Sequence, residues 1–288
     1  MTTTVSTTIP AVFVPASGLR HQVRATVVVW QREMIRFTRD PARMLSALIQ
    51  PVLFLFVLGS GLSSLVRAGT GSVDFRTFLF PGVLATSVLF TAAFAGISMV
   101  WDREFGFLRE MLVAPVSSTA ILTGKCLGGA TVATLQSLVI LALAGTVGVP
   151  YSPVMMVELV GLLFLMAFLI TALGLVLAAR VKQVQSAMPL VQLIITPLMF
   201  LSGALFPLSG LPTWLNLVTK LNPMTYAVEP LRSVIFDRLR LDAVSRLRLD
   251  PGIRWGSWSV PVSLQVTLVA AVCLVLLSIA VAMFARTE

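Results

Sequence analysis

Between Met44 and Ala285 lie six apolar stretches, each longer than the ~18 residues that mark a membrane-crossing helix, and their middles carry no ionisable side chain. They run about Met44–Val66, Phe78–Val100, Leu122–Val147, Met156–Ala179, Met188–Phe206 and Val260–Ala285. Only 11% of the 288 residues are charged, against about a quarter in a soluble domain. A soluble enzyme, a disordered protein and a nucleic-acid-binding domain are all excluded. The chain reads as an all-α polytopic membrane protein with six transmembrane helices.

The formal net charge of +9 belongs to the segments between these stretches, where Lys and Arg set orientation and meet anionic headgroups. With the N-terminus inside, the cytosolic segments hold Arg20, Arg24, Arg32, Arg36, Arg39, Arg43, Arg103, Arg109, Lys125, Arg180, Lys182 and Arg286. The short outer loops hold Arg67 and Arg76. The segment from Pro207 to Ser259 carries seven basic residues on the outer side, but long loops weigh little in orientation. Both termini are therefore expected in the cytosol. Residues 1–17 are Thr-rich and lack the basic start and apolar core of a cleavable leader. They read as a flexible cytosolic tail, with the first span directing insertion. Cys126 and Cys273 offer no disulfide framework.

Leu19, Val23, Val27, Trp30, Met34 and Phe37 recur at spacings of three and four, so residues 18–40 form a helix with one apolar face. Arginines fill much of the remainder, the pattern of a helix lying in the membrane interface. Asp40-Pro41 separates it from the first span. Pro51 and Pro197 are expected to kink their helices. Residues 207–259 make an outer hairpin and connector. Within them, Leu211–Phe236 is too polar to span and too apolar for a free loop, and it reads as short helices broken at Asn222-Pro223 that dip into the outer leaflet.

Several functions are missing their chemistry. Ion-driven transporters place ionisable groups near the midplane, and channels need a filter or charged ring. A metal hydrolase needs a ligand cluster, and the single histidine, His21, lies outside the spans. Thr119–Cys126 ends in Gly124-Lys125 but lacks the first glycine and the Ser/Thr of an ATP-binding loop. Energy for transport must come from another chain. A lipid-modifying enzyme has a thin candidate in Glu158 with Tyr151, and a non-conducting regulatory subunit is a further alternative.

The one charge cluster between consecutive spans is Trp101-Asp-Arg-Glu-Phe-Gly-Phe-Leu-Arg-Glu-Met-Leu-Val-Ala-Pro-Val-Ser117. Leu108, Met111 and Leu112 share one side of a short helix beside Arg109 and Glu110. Pro115 stops it before Ser117 caps the next helix. A helix held between two spans is a mechanical handle for a partner.

This stretch, with Gly124-Lys125, resembles the signature of ABC-2 type transporter permeases, including the daunorubicin-resistance type. Asp102, Arg103, Glu104, Gly106, Leu108, Pro115, Val116, Ser117, Gly124 and Lys125 match that pattern, whereas Phe107 replaces the usual Thr and Arg109 the usual Glu. Leu201-Ser-Gly-Ala-Leu-Phe-Pro207, Leu211–Leu215 and Leu221–Ala227 resemble the family's outer hairpin after the fifth span.

The resemblance implies an N-terminal elbow helix at residues 18–40, with Trp30 and with Arg24, Arg32 and Arg36 towards headgroups or an ATPase. It implies a cytosolic coupling helix within 101–119 that uses Asp102 through Pro115. It also implies a re-entrant outer hairpin with Pro207, Pro212, Trp214, Asn222 and Pro223. The implied function is an export permease in a bacterial cytoplasmic membrane, of the kind met in multidrug and antibiotic resistance, moving a drug, lipid or glycan precursor. The implied partners are an ABC ATPase subunit that binds the ATP and magnesium, a second permease copy or paralogue, and membrane lipids. No catalytic residue, metal or cofactor on this chain is implied.

Overall fold

The computed structural model describes residues 18–61, 75–108, 111, 116–206, 212–239, 252–256 and 258–287. Helix α1 (Leu19–Thr38) is followed at once by α2, which runs Pro41–Gly61. Asp40 Oδ1 accepts from the Arg43 amide at 3.0 Å and so caps α2, while Pro41 takes the first-turn position that needs no donor. Pro51 lies inside α2 without an N–H to give, and three residues later the backbone shifts to a π-helical stretch at Phe54–Leu58. Such adjustments re-pair backbone groups that proline frees.

Among the described residues, seven further α-helices and a two-stranded ribbon follow. Helix α3 is Phe75–Glu104, α4 is Ser118–Leu141 and α5 is Pro153–Arg180. Helix α6 is Val184–Phe200, and α7 (Thr213–Leu221) and α8 (Pro223–Asp237) come after it. A two-stranded antiparallel ribbon, β1 (Arg254–Trp255) and β2 (Trp258–Ser259), precedes α9 (Val262–Thr287). Five described helices are long and apolar enough to cross a membrane, and α6, at 17 residues, is a shorter apolar one. The fifth apolar stretch thus divides. Its helix stops at Phe200, Gly203 takes a left-handed φ of 74°, and the Ser202 hydroxyl accepts from the Ala204 amide at 3.2 Å. A turn therefore occupies what hydropathy alone counts as span.

Helix α3 is the axis of the bundle. Of its apolar stretch 78% is buried, against 17% for α2 and 22% for α9. Helices α4 and α5 flank it at glycines. A Cβ built on Gly96 of α3 would sit 2.6 Å from the Gly174 Cα of α5, so these two backbones touch. Small residues at a crossing allow this close approach, the main source of attraction between helices in lipid.

The hairpin α7–α8 sits at the end where α3 and α5 begin. Arg238 Nη1 donates to Ser152 Oγ at 3.2 Å, and the Phe236 ring lies 6.4 Å from that of Phe78. Asn222 forms the break, its Oδ1 accepting from the Met224 amide at 2.9 Å and its Nδ2 donating to the Leu198 carbonyl at 2.9 Å. Pro212 and Pro223 stand at the starts of α7 and α8, and Trp214 is exposed. Pro207 lies outside the described residues. The ribbon docks on this hairpin through Trp255 Nε1, which donates to the Tyr226 hydroxyl at 3.1 Å.

Candidate functional site: a charged knot at the end of α3

The triplet Asp102-Arg103-Glu104 forms the last turn of α3, and each member binds a different part of the bundle. Asp102 is buried. Its Oδ2 lies 2.5 Å from Lys125 Nζ of α4 and 2.5 Å from Arg32 Nη2 of α1. Arg103 Nη1 donates to the carbonyls of Ala178 at 3.0 Å and Val181 at 2.9 Å, which are free because α5 ends there. A guanidinium at that end also complements the helix dipole. Its other face covers the Phe284 ring of α9 at 5.1 Å. Glu104 Oε2 accepts from the Val184 amide at 2.7 Å and so caps α6. Three adjacent charges thereby tie α1, α4, α5, α6 and α9 to one turn.

Lys125 is the deepest cation of the knot, at 2% exposure. Besides Asp102 it reaches Glu33 Oε1 and Ser98 Oγ, both at 3.1 Å. Arg32 also lies 3.6 Å from Glu33. Two cations face two carboxylates, so the cluster is neutral. That neutrality is what makes its burial tolerable, since a lone buried charge costs several kcal/mol.

The elbow helix reaches this knot through a glycine groove. Gly124 and Gly128 lie one turn apart on α4. A Cβ on Gly124 would meet the Thr26 carbonyl oxygen at 2.7 Å, and one on Gly128 would meet Glu33 Cβ at 2.7 Å. Side chains then fasten α1 along its length. Gln22 Oε1 accepts from the Ser117 amide at 3.1 Å, Thr26 Oγ1 donates to the Ala120 carbonyl at 3.2 Å, and Trp30 Nε1 donates to Thr131 Oγ1 at 3.1 Å. Gln22, Thr26, Arg32 and Glu33 of α1 are therefore turned to protein, with Val29 buried beside them. Leu19, Val23 and Val27 of its apolar stripe stay exposed, with Leu19 at 87%. Arg20, Arg24 and Arg36 are exposed as well, so apolar and charged residues share the outer surface of the helix.

The remaining candidates separate. Gly106, at φ 81°, turns the chain out of α3 in a conformation only glycine adopts without cost. Leu108 is buried in this chain's own core, and Met111 Sδ lies 3.5 Å from Arg32 Nη1. Arg109, Glu110, Leu112 and Pro115 lie outside the described residues. Arg24 is exposed, and Arg36 lies 6.0 Å from the centre of the Trp101 ring. Between Glu104 and Leu108 two aromatic rings project outward, Phe105 at 64% and Phe107 at 52% exposure. Sequence reasoning passed over Glu33, Ser98, Gly128 and Phe105, noted Phe107 only as a departure from the family pattern, and counted Lys125 as an orientation signal and a motif match. Glu33, the one carboxylate within α1, and the Gly124–x₃–Gly128 spacing were the legible signs.

Comparison with known proteins bears on the same region. The family model described as ABC-2 type transporter matches residues 24–236, from within α1 to within α8, and so takes in the whole knot. Over 223 residues the chain is 32% identical to transport permease ycf38 of Pyropia yezoensis, covering 75% of this chain and 74% of the relative. It is 30% identical over 219 residues to Nodulation protein J of Rhizobium meliloti (strain 1021), covering 73% of this chain and 80% of that one.

Proposed function

This chain belongs to the ABC-2 type transporter family and is a multi-pass membrane transport subunit; from that premise we propose that it is the permease of an ATP-driven exporter. In this reading a separate ATPase binds ATP and magnesium, and two permeases, copies or paralogues, work together. Their cargo is an amphipathic or lipidic molecule, a drug, lipid or glycan precursor, moved outward across a bacterial cytoplasmic membrane. Both termini face the cytosol, α1 lies in the inner interface, and α7–α8 form the outer re-entrant hairpin.

One observation carries the reading. Two exposed aromatic rings, Phe105 and Phe107, directly follow a turn whose three charges hold five other helices. A partner gripping those rings pulls on the whole bundle at once. Apolar rings on a charged end of a protein mark contact sites, and buried aromatics dominate binding energy at such contacts. Closure of an ATPase dimer would reach the spans along this route.

Phe107→Ala is accordingly expected to weaken association with the ATPase at least about tenfold, which is ~1.4 kcal/mol. Permease abundance should stay constant, because the ring is about half exposed and is no part of the buried core. Co-purification and ATP-dependent transport in reconstituted vesicles are the measurements, and normal values of both would remove this loop from the contact. ATP hydrolysis by the intact complex without movement of any lipid or drug would favour the regulatory-subunit alternative.

Orientation has its own test. Cysteines introduced at Ser72 and Ser245, both outside the described residues, should react with an impermeant reagent from the outer side. One at Ser118, the first residue of α4, should stay unlabelled. The reverse pattern would invert the topology.

A further inference from the structure

A cavity of about 300 Å³ opens between α1, α2, α3 and α4, beside the knot and with Gln192 of α6 at its edge. Arg36 and Arg43 line it at the level of the α1–α2 corner. Gln50 lies seven residues further along α2, about 10 Å deeper at ~1.5 Å per residue, and Gln136 of α4 reaches the intervening Met44 carbonyl at 3.4 Å. The wall between is largely apolar, with Phe94 half-open to the surroundings. Cations at the corner, uncharged amides from the Met44 level down to Gln50 and an apolar wall beyond repeat the layering of a membrane lipid.

The charge balance favours an anion. Two carboxylates also line the cavity, but both are engaged elsewhere. Glu33 accepts from Lys125 at 3.1 Å, and Asp40 caps α2 through the Arg43 amide at 3.0 Å. Among the described residues, neither the Arg36 nor the Arg43 guanidinium lies within ion-pair distance of a carboxylate. Gln136 is already positioned, its Oε1 accepting from Thr91 Oγ1 at 3.2 Å and its Nε2 donating to the Met44 carbonyl at 3.4 Å. The second Nε2 proton remains available to a ligand. The volume lies at the small end of ligand pockets, ~300–1,000 Å³, so it holds a headgroup and leaves an acyl chain outside along Phe94.

We propose that this cavity binds the phosphate-bearing head of an amphiphile from the inner leaflet, with Arg36 and Arg43 on the phosphate and the Gln136 and Gln50 amides on the uncharged linker. The inference rests on the placement of α1 at the inner interface given above. The amphiphile is either a resident phospholipid or the exported cargo, and the chemistry recognised is the same.

The full chain is placed in phosphatidylcholine vesicles containing rising fractions of brominated phosphatidylglycerol, and in a matched series with brominated phosphatidylcholine. Trp214, Trp255 and Trp258 are replaced by Phe, so that Trp30 and Trp101 near the cavity report contact by quenching. Brominated phosphatidylglycerol is expected to show about a fivefold or greater preference, on the scale of one arginine near an anionic lipid. Arg36→Gln with Arg43→Gln should bring the preference close to one, whereas Arg39→Gln, outside the lining, should keep it. Equal quenching by the two lipids, or a preference that survives the double change, would overturn the site. A second arm adds the ATPase, ATP and fluorescent phosphatidylglycerol. ATP-driven movement of that lipid identifies cargo, and retained preference without movement identifies a resident lipid; the site stands in both. Because the quenching arm needs no ATPase, it holds or fails independently of the export reading.

Discussion

Lys125→Met is expected to destabilise the folded bundle by about 3–5 kcal/mol, the cost of leaving a buried carboxylate without its cation. The methionine fills nearly the same volume, so packing is kept and the charge alone is lost. Asp102 would retain Arg32 at 2.5 Å, but Glu33 would keep only the longer 3.6 Å contact with Arg32. One negative charge then stands uncompensated in a site shielded from water. The midpoint of unfolding in mixed detergent measures the loss. The second change, Glu33→Gln, restores neutrality and is expected to return most of the stability, since coupled residues depart strongly from additivity. A double variant as unstable as the single one would show that the lysine's shape, and not its charge, holds the knot.

Gly96→Val should act through sterics alone. The Cβ would lie 2.6 Å from the Gly174 Cα, 2.8 Å from its carbonyl carbon and 3.1 Å from the Thr171 carbonyl oxygen. All three are backbone atoms of α5, so no side chain can rotate aside and the helices must separate. Overpacking of this kind costs about 1–3 kcal/mol or more, and valine, with two further methyls, is expected at the top of that range. Gly161 lies on the same helix α5, and a methyl group added there would have nothing within 4 Å. Gly161→Ala should therefore be neutral or slightly stabilising, through the better helix propensity of alanine. Equal loss at both positions, read in the same detergent unfolding assay, would remove the α3–α5 crossing as the reason.

Hydropathy places the long helices well because their signal is local: each carries its apolar run within itself. The break at Asn222-Pro223 and the helix at residues 19–38 are legible for the same reason, from a proline with a capping residue and from a 3.6-residue period. The knot is not local. Glu33 and Lys125 are 92 positions apart, and Lys125, near the start of the third apolar stretch, looks like any basic residue at the mouth of a span. Leu108 reads as one face of a free helix, yet it turns inward because Gly106 redirects the chain toward the bundle. The ribbon at Arg254–Ser259 escapes notice since two residues per strand give no alternation to detect. The arginines of α1 were legible as surface charge, but which of them ends on Asp102 depends on the Gly124–Gly128 groove and not on their own spacing.

The neutral knot also sets an order of events during biogenesis. Helix α1 leaves the ribosome before α4, yet its seat on α4 does not exist until residue 128 has been made. Until then Glu33 lacks Lys125, and the groove into which Thr26 and Val29 fit is absent. At ~5–20 residues per second, the 92 residues between the two ends of that ion pair take about 5–20 s to synthesise. Through this interval the nascent elbow has lipid headgroups and the insertion machinery for company, its exposed Leu19 and Val23 already suited to the bilayer surface. The earlier helix of this pair waits on the later one to find its place.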